Sequence, residues 1–171
     1  ISYANCGLPY YVGGEITDRE ELTLQTPESF RSRFAADVRV RSEVTAVDPK
    51  SHTVTVRDLE QGRTYTESYD KLILAPGARP IRQDIPGADD PRVFTLRTVE
   101  DALALEAFVT ERKPKRAVVA GGGYIGLEMT ENLMKRGVAV TLVQRSGHLM
   151  KTLDYDMSCG VSAYLKKQGV A

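Results

Sequence analysis

The sequence predicts an α/β fold, and three observations carry the prediction. Residues 116–143 run as strand, glycine turn, helix, strand; residues 38–68 alternate apolar and polar with a period of two between turn-forming clusters; and helical stretches led by capping residues and proline surround them. With 171 residues, 42% hydrophobic and 27% charged, the chain has the apolar content to build a core. Its 23 basic and 23 acidic residues cancel and form no long block, which excludes a broad footprint for nucleic acid or anionic lipid. No apolar run approaches the ~18 residues of a membrane span, and the first residues lack the pattern of a signal peptide, so a cytoplasmic setting is expected. Cys6 and Cys159 form neither a disulfide framework nor a zinc-ligand spacing, so no metal is expected and each is read alone.

The elements follow in order. Gly7 to Tyr11 opens a helix, with Asn5 as a cap for its free amides, Pro9 tolerated in the first turn, and Cys6 at its positive end. Thr26 caps a second helix that begins at Pro27 and runs to about Phe34. Val38 and Val40, Val44 to Val47, His52 to Val56 and Arg63 to Ser68 then form an antiparallel meander, with turns at Asp48-Pro49-Lys50-Ser51 and Glu60-Gln61-Gly62-Arg63. Asp70 to Ala75 is a continuous apolar run, predicted as a strand buried on both faces and ended by Pro76-Gly77-Ala78-Arg79-Pro80. Glu100 to Glu111 is an amphipathic helix, and Asp156 to Gln168 another that carries Cys159, expected to be structural. His52, in a meander strand, and His148, in a loop, are weak acid-base candidates. The chain opens inside a patterned run without Met and closes at Lys167-Gln168-Gly169-Val170-Ala171, where a helix meets its glycine and a strand begins. A piece of a larger protein is the expectation.

The sharpest local motif lies in the last third. Arg116 to Ala120 is a short strand, Gly121-Gly122-Gly123-Tyr124-Ile125-Gly126 has the form GxGxxG, Leu127 to Arg136 is a helix ended by Gly137, and Val138 to Val143 is a second strand. Within such a Rossmann-like βαβ unit, Gly121 permits the tight turn, Gly123 lets the backbone approach a pyrophosphate, and Gly126 lets helix and strand pack closely. The helix amino end favours the phosphates through its free N–H groups and dipole. A simple strand-to-helix turn is the competing reading. After the second strand, about 20 residues beyond the glycines, an acid usually holds the ribose hydroxyls. Here Gln144 and Arg145 stand there. A neutral amide does not repel a 2'-phosphate that Arg145 could pair with, so NADPH is at least as plausible as NADH, while a loop residue beside a solvated charge is the plain alternative.

Three segments together carry a resemblance. Ser2-Tyr3-Ala4-Asn5-Cys6-Gly7-Leu8-Pro9-Tyr10-Tyr11-Val12-Gly13-Gly14, then Tyr69-Asp70-Lys71-Leu72-Ile73-Leu74-Ala75-Pro76-Gly77-Ala78-Arg79-Pro80, then Gly121 to Glu128 resemble the single-cysteine branch of the pyridine nucleotide-disulfide oxidoreductases. That branch includes coenzyme A disulfide reductases and NAD(P)H-dependent persulfide reductases. The resemblance implies an FAD domain interrupted by an NAD(P)H domain, with residues 1–112 from the former, including the redox cysteine and the meander, and 113–171 opening the latter. The family's first FAD glycine motif would precede Ile1, and its second FAD stretch and dimerisation domain would follow Ala171, so the full-length protein is expected to be a homodimer and this chain alone inactive.

The implied cofactors are FAD and NAD(P)H, and the implied reaction passes electrons through FAD to sulfur at Cys6. Taken alone, Cys6 reads first as a small buried residue; the resemblance makes it the redox centre, a thiolate favoured at a helix amino end. No second cysteine follows it closely, so its partner would come with the substrate, coenzyme A disulfide or a persulfide, or the sulfur would be oxidised to sulfenic acid. By the same resemblance Ser2 and Asn5 contact the thiol substrate, or serve only as caps. Arg31 and Arg33 lie where coenzyme A phosphates would meet a basic residue, or are solvated charges. Val44 approaches the FAD adenine, Ala75, Pro76 and Gly77 form a second FAD contact, Tyr124 covers the flavin until nicotinamide displaces it, and Glu128 faces the flavin–nicotinamide region. The rival readings are an NADH oxidase or peroxidase using a cysteine sulfenic acid, and a nucleotide-binding module without catalysis.

Overall fold

A computed structural model describes residues 2–171. In chain order its strands and α-helices are β1 (Ser2–Tyr3), α1 (Leu8–Gly13), β2 (Thr23–Gln25), α2 (Pro27–Phe34), β3 (Ser42–Asp48), β4 (Thr53–Asp58), β5 (Thr64–Ser68), α3 (Val99–Arg112), β6 (Arg116–Ala120), α4 (Tyr124–Lys135), β7 (Ala139–Val143) and α5 (Tyr155–Lys167). They divide into two compact units: Ser2 with Gln25–Ala78, and Tyr3–Leu24 with Arg79–Ala171. The boundary expected between residues 112 and 113 falls inside the second unit, which holds both the Cys6 segment and the glycine motif.

The first unit is built from local sequence signals. Thr26 Oγ1 accepts from Ser29 N–H at 3.2 Å and Ser29 Oγ accepts from Thr26 N–H at 2.9 Å, a reciprocal cap that starts α2 at Pro27. Strands β3, β4 and β5 form the antiparallel meander, with Val44 opposite Val56 and Val56 opposite Tyr65. Aspartates set both of its turns. Asp48 Oδ1 accepts from the N–H groups of Lys50 and Ser51, and Asp58 Oδ1 from those of Glu60 and Gln61.

Two expectations fail in this unit. Val38 and Val40 precede the first meander strand, because Arg41 takes a left-handed conformation (φ 51°) that interrupts the extended chain before Ser42. The apolar run Asp70–Ala75 is irregular and open to solvent, with Ile73 88% and Leu74 71% exposed. A strand exists only through a hydrogen-bonded neighbour, and among the described residues no strand pairs with this run.

The second unit has a true core. Leu8 and Val12 of α1, Leu22, Ala102 and Val109 of α3, Met129 and Leu133 of α4, and Val138 and Val140 pack together. Burial of each larger side chain contributes about 1.5–3 kcal/mol. Strands β6 and β7 are parallel, in register from Arg116 opposite Ala139 to Ala120 opposite Val143, and α4 is the crossover between them. Thr98 and Asp101 cap α3 reciprocally, as Thr26 and Ser29 do α2. Helix α4 begins three residues before the expected Leu127. Gly123 is its extended N-cap, so the last three residues of the motif already belong to its first turn. Gly137 (φ 78°) supplies the left-handed turn out of it. Among the described residues no helix is long and apolar enough to cross a membrane.

Candidate functional site

The glycine turn sits where β6 hands over to α4. A Cβ on Gly126 would lie 1.8 Å from the Gly121 carbonyl oxygen, so only glycine lets the helix start this close to the strand. A Cβ on Gly123 would meet nothing within 4 Å: that side of the turn is an open cradle at the amino end of a helix. No acidic residue occupies the first turn of α4. These features fit the pyrophosphate of a dinucleotide.

Gly122 is held at both of its polar atoms. Its N–H donates to Gln144 Oε1 at 2.8 Å, and its carbonyl accepts from Met150 N–H at 2.7 Å. Gln144 Nε2 also donates to Ser146 Oγ, which in turn donates to the His148 carbonyl at 3.0 Å. Gln144, expected at the ribose, is thus bonded to the glycine turn itself, with Arg145 exposed beside it. At the start of α4, Tyr124 is 63% and Ile125 52% exposed. Glu128, one turn on, is half-buried. Its carboxylate is the largest influence raising the Tyr10 phenol above its ordinary value, with burial, Glu131 and Glu15 adding to it and Lys135 opposing.

Tyr10 belongs to the helix that follows Cys6, and that helix lies directly against α4. A Cβ on Gly13 would fall 2.0 Å from Asn132 Oδ1, and Asn132 is fully buried, so the two helices meet backbone against side chain. Arg136 closes the contact, donating to the Val12 carbonyl at 3.2 Å and to Thr110 Oγ1 at 2.7 Å. Lys135 pairs with Glu15 of the loop after α1 and with Glu131 of its own helix.

Cys6 is exposed, which removes the reading of a small buried residue. It occupies a single 3-10 turn, Asn5–Gly7, that runs straight into α1. Asn5 does not cap that helix. The helix starts at Leu8, Gly7 takes the N-cap position without a side-chain bond, and Asn5 Oδ1 instead accepts from Arg97 Nη1 at 3.0 Å. Arg97 also accepts from Tyr3 Oη through its carbonyl at 3.1 Å, so one residue ties the chain on both sides of Ala4. Nothing local announces Arg97, which is 92 positions from Asn5. Cys159 is exposed on α5 beside Tyr155, whose phenol is raised above its ordinary value by hydrogen bonding with the thiol.

The remaining expected positions lie in the first unit. Ser2 is half-buried in β1. Val44 is 54% exposed in β3, and Ala75, Pro76 and Gly77 form an exposed irregular stretch in which Gly77 has φ 76°. Arg31 pairs with Asp37 at 2.8 Å and Arg33 lies over the Phe34 ring at 5.2 Å. A cleft of about 330 Å³ lined by Val109, Lys113, Lys115 and Arg136 opens at the other end of β6 from the glycine turn.

Known proteins share the sequence pattern and the fold. Residues 1–171 match the pyridine nucleotide-disulphide oxidoreductase family. Coenzyme A disulfide reductase from Staphylococcus haemolyticus is 41% identical over 158 residues, 92% of this chain and 35% of that protein. The reduced CoADR-RHD of Bacillus anthracis superposes with a TM-score of 0.91 at 47% identity, over 99% of this chain and 31% of the other. An engineered water-forming NADPH oxidase bound to NADPH, derived from the NADH oxidase of Lactobacillus brevis, superposes at 0.86 with 37% identity over 99% of this chain and 37% of its own. Its five substitutions are a glycine to alanine and then, eighteen, nineteen, twenty and twenty-five residues further on, Asp to Ala, Ala to Arg, Met to Ser and Pro to Arg. The chain spans about a third of the length of the relatives it matches. On the full-length family match and these relatives, the chain belongs to the pyridine nucleotide-disulphide oxidoreductases.

Proposed function

We propose that this chain is part of a flavoprotein that carries electrons from NAD(P)H through FAD to a disulfide or persulfide, with coenzyme A disulfide as the first candidate and Cys6 as the redox centre. The single observation that carries the reading is the placement of an exposed Cys6 on the segment whose helix packs against the helix of the glycine turn, within one compact unit. Nucleotide turn and sulfur are thereby held in fixed relation.

The chemistry balances with one cysteine. The Cys6 thiolate attacks one sulfur of the substrate disulfide, forming a mixed disulfide and releasing the first thiol after a proton is taken up. Two electrons and a second proton then cleave the mixed disulfide, free the second thiol and return Cys6 to the thiolate. FAD, when bound, relays those two electrons from the nicotinamide. Gly121 to Gly126 and the first turn of α4 would hold the pyrophosphate, Gln144 and Arg145 would lie by the ribose, and Ser2 and Asn5 by the thiol substrate. Tyr124 and Glu128 would border the nicotinamide, while Val44, Ala75, Pro76 and Gly77 would contribute to FAD. In this reading residues 1–112 belong to the flavin domain, 113–171 open the nucleotide domain, and the full-length protein is a cytoplasmic homodimer.

Counted from Gly126, the four later positions substituted in the engineered oxidase fall here on Gln144, Arg145, Ser146 and Lys151. This chain already has no acid at the first, Arg at the second, Ser at the third and a cation at the fourth, while keeping glycine at 126.

A second reading is supported by that same relative, which is a water-forming oxidase: Cys6 cycling through a sulfenic acid with oxygen or peroxide as acceptor. Assaying the full-length, FAD-loaded protein against coenzyme A disulfide, polysulfide, peroxide and oxygen separates the two. Disulfide-dependent NAD(P)H oxidation that is lost almost completely in Cys6→Ser is the expected result. Consumption of oxygen alone would replace the reductase reading, and unchanged disulfide turnover in Cys6→Ser would remove Cys6 from the mechanism.

A further inference from the structure

We infer that Arg97 is a positioning residue for the thiol substrate: it turns the Asn5 side chain so that the amide N–H groups, next to Cys6, are left to donate to the incoming disulfide. This rests on the reading of Cys6 as the redox centre. The geometric basis is a hold on Arg97 from three sides. Its main-chain N–H donates to Asp101 Oδ2 at 2.8 Å, within the reciprocal cap that starts α3, and its carbonyl accepts from Tyr3 Oη at 3.1 Å. The backbone is thereby fixed, and the half-buried side chain reaches back to Asn5 Oδ1 at 3.0 Å.

That one bond decides which end of the amide is free. A guanidinium only donates, so Asn5 must offer it the carbonyl oxygen, and the amide nitrogen keeps both of its hydrogens. Among the described residues that nitrogen has no hydrogen-bond partner, and no ion pair takes up the charge of Arg97. An ionised donor on the oxygen also polarises the amide, which makes its N–H groups better donors. Asn5 and Cys6 are both exposed within the single 3-10 turn Asn5–Gly7, so donor and sulfur are open to solvent at adjacent positions. When the Cys6 thiolate attacks coenzyme A disulfide, one S–S bond forms as the other breaks, and the released sulfur carries the electron pair away as a thiolate. Negative charge therefore develops on the substrate, and a donor whose orientation is set beforehand stabilises it without reorganising. An untethered Asn5 amide could present its oxygen instead, which repels that charge.

The test uses the full-length, FAD-loaded protein, reduced with a dithiol and desalted so that the Cys6 sulfur is free and no NAD(P)H is present. Mixed-disulfide formation with coenzyme A disulfide is followed by mass, and iodoacetamide alkylation is the control that lacks the body of the substrate. Peptide mapping separates Cys6 from Cys159, which is exposed as well. Arg97→Met keeps the stem of the side chain and leaves the main-chain bonds to Asp101 and Tyr3 in place. It should slow capture of coenzyme A disulfide roughly tenfold, the scale of one charge-assisted hydrogen bond, with alkylation within about twofold of the unmodified rate. Asn5→Ala should slow capture by a similar factor, and the double substitution should be no slower than either alone, because both changes remove the same donor. Undiminished capture in Arg97→Met, losses that multiply in the double substitution, or an equal fall in alkylation overturns the inference and leaves Cys6 as the redox centre. Failure of the unmodified protein to form the adduct at Cys6 overturns both.

Discussion

The meander and the unit that carries Cys6 are made of similar residues but keep them differently. In the meander only Val56 is buried; Val44 and Val47 are 54% and 39% exposed, the exposed Arg57–Glu43 pair joins β4 to β3, and Arg39, just before β3, pairs with Glu67 of β5. In the Cys6 unit, apolar side chains from α1, α3, α4 and β7 converge on one cluster. A sheet can be specified by strand propensity and turn chemistry alone, whereas a fixed distance between a sulfur and a nucleotide turn requires a shared core. Cys6 and the glycine turn both sit on the unit that has one.

The contrast is broken most directly by truncation on each side. Leu133→Ala, deep in the cluster, should cost about 2–5 kcal/mol, while Val44→Ala should stay within about 0.5 kcal/mol. Native-state hydrogen exchange of the full-length protein reads each unit separately, and equal losses at the two sites would erase the distinction. Next in size is Gly13→Ala. The new methyl has no room against Asn132, so α1 must move away from α4 at a cost of about 1–3 kcal/mol, seen as lost protection of α1 amides and a changed rate of Cys6 alkylation. An unchanged alkylation rate with unchanged protection would mean that the helix contact does not position the sulfur. Smallest is Arg57→Ala in the meander, at most ~1 kcal/mol, and falling toward zero as salt screens the exposed pair. A loss as large as that of Leu133→Ala would show that ion pairs substitute for a core there.

What could be read from the sequence was what neighbouring residues decide. Thr26 with Pro27, the turns at Asp48-Pro49-Lys50-Ser51 and Glu60-Gln61-Gly62-Arg63, Gly137 after α4 and the glycine turn itself all act within a few positions, and the structure has each where local chemistry puts it. The misses depend on distant partners. Asp70–Ala75 has the composition of a buried strand, but composition does not provide the neighbour that makes one. Asn5 has a capping residue's chemistry, yet Arg97 reaches it first. Gln144 was legible as a departure from the usual acid, but its bond to Gly122 was not, because that bond spans 22 positions and links a strand end to a turn.

The double fastening of Gly122 also limits how this protein can change. A strap of fixed length tolerates new side chains between its buckles but not added or removed links, because either would unhook Gln144 or Met150 and loosen the glycine turn. Side-chain exchanges between Gln144 and Met150 therefore leave the glycine turn in place, whereas insertions and deletions in the same stretch would release it.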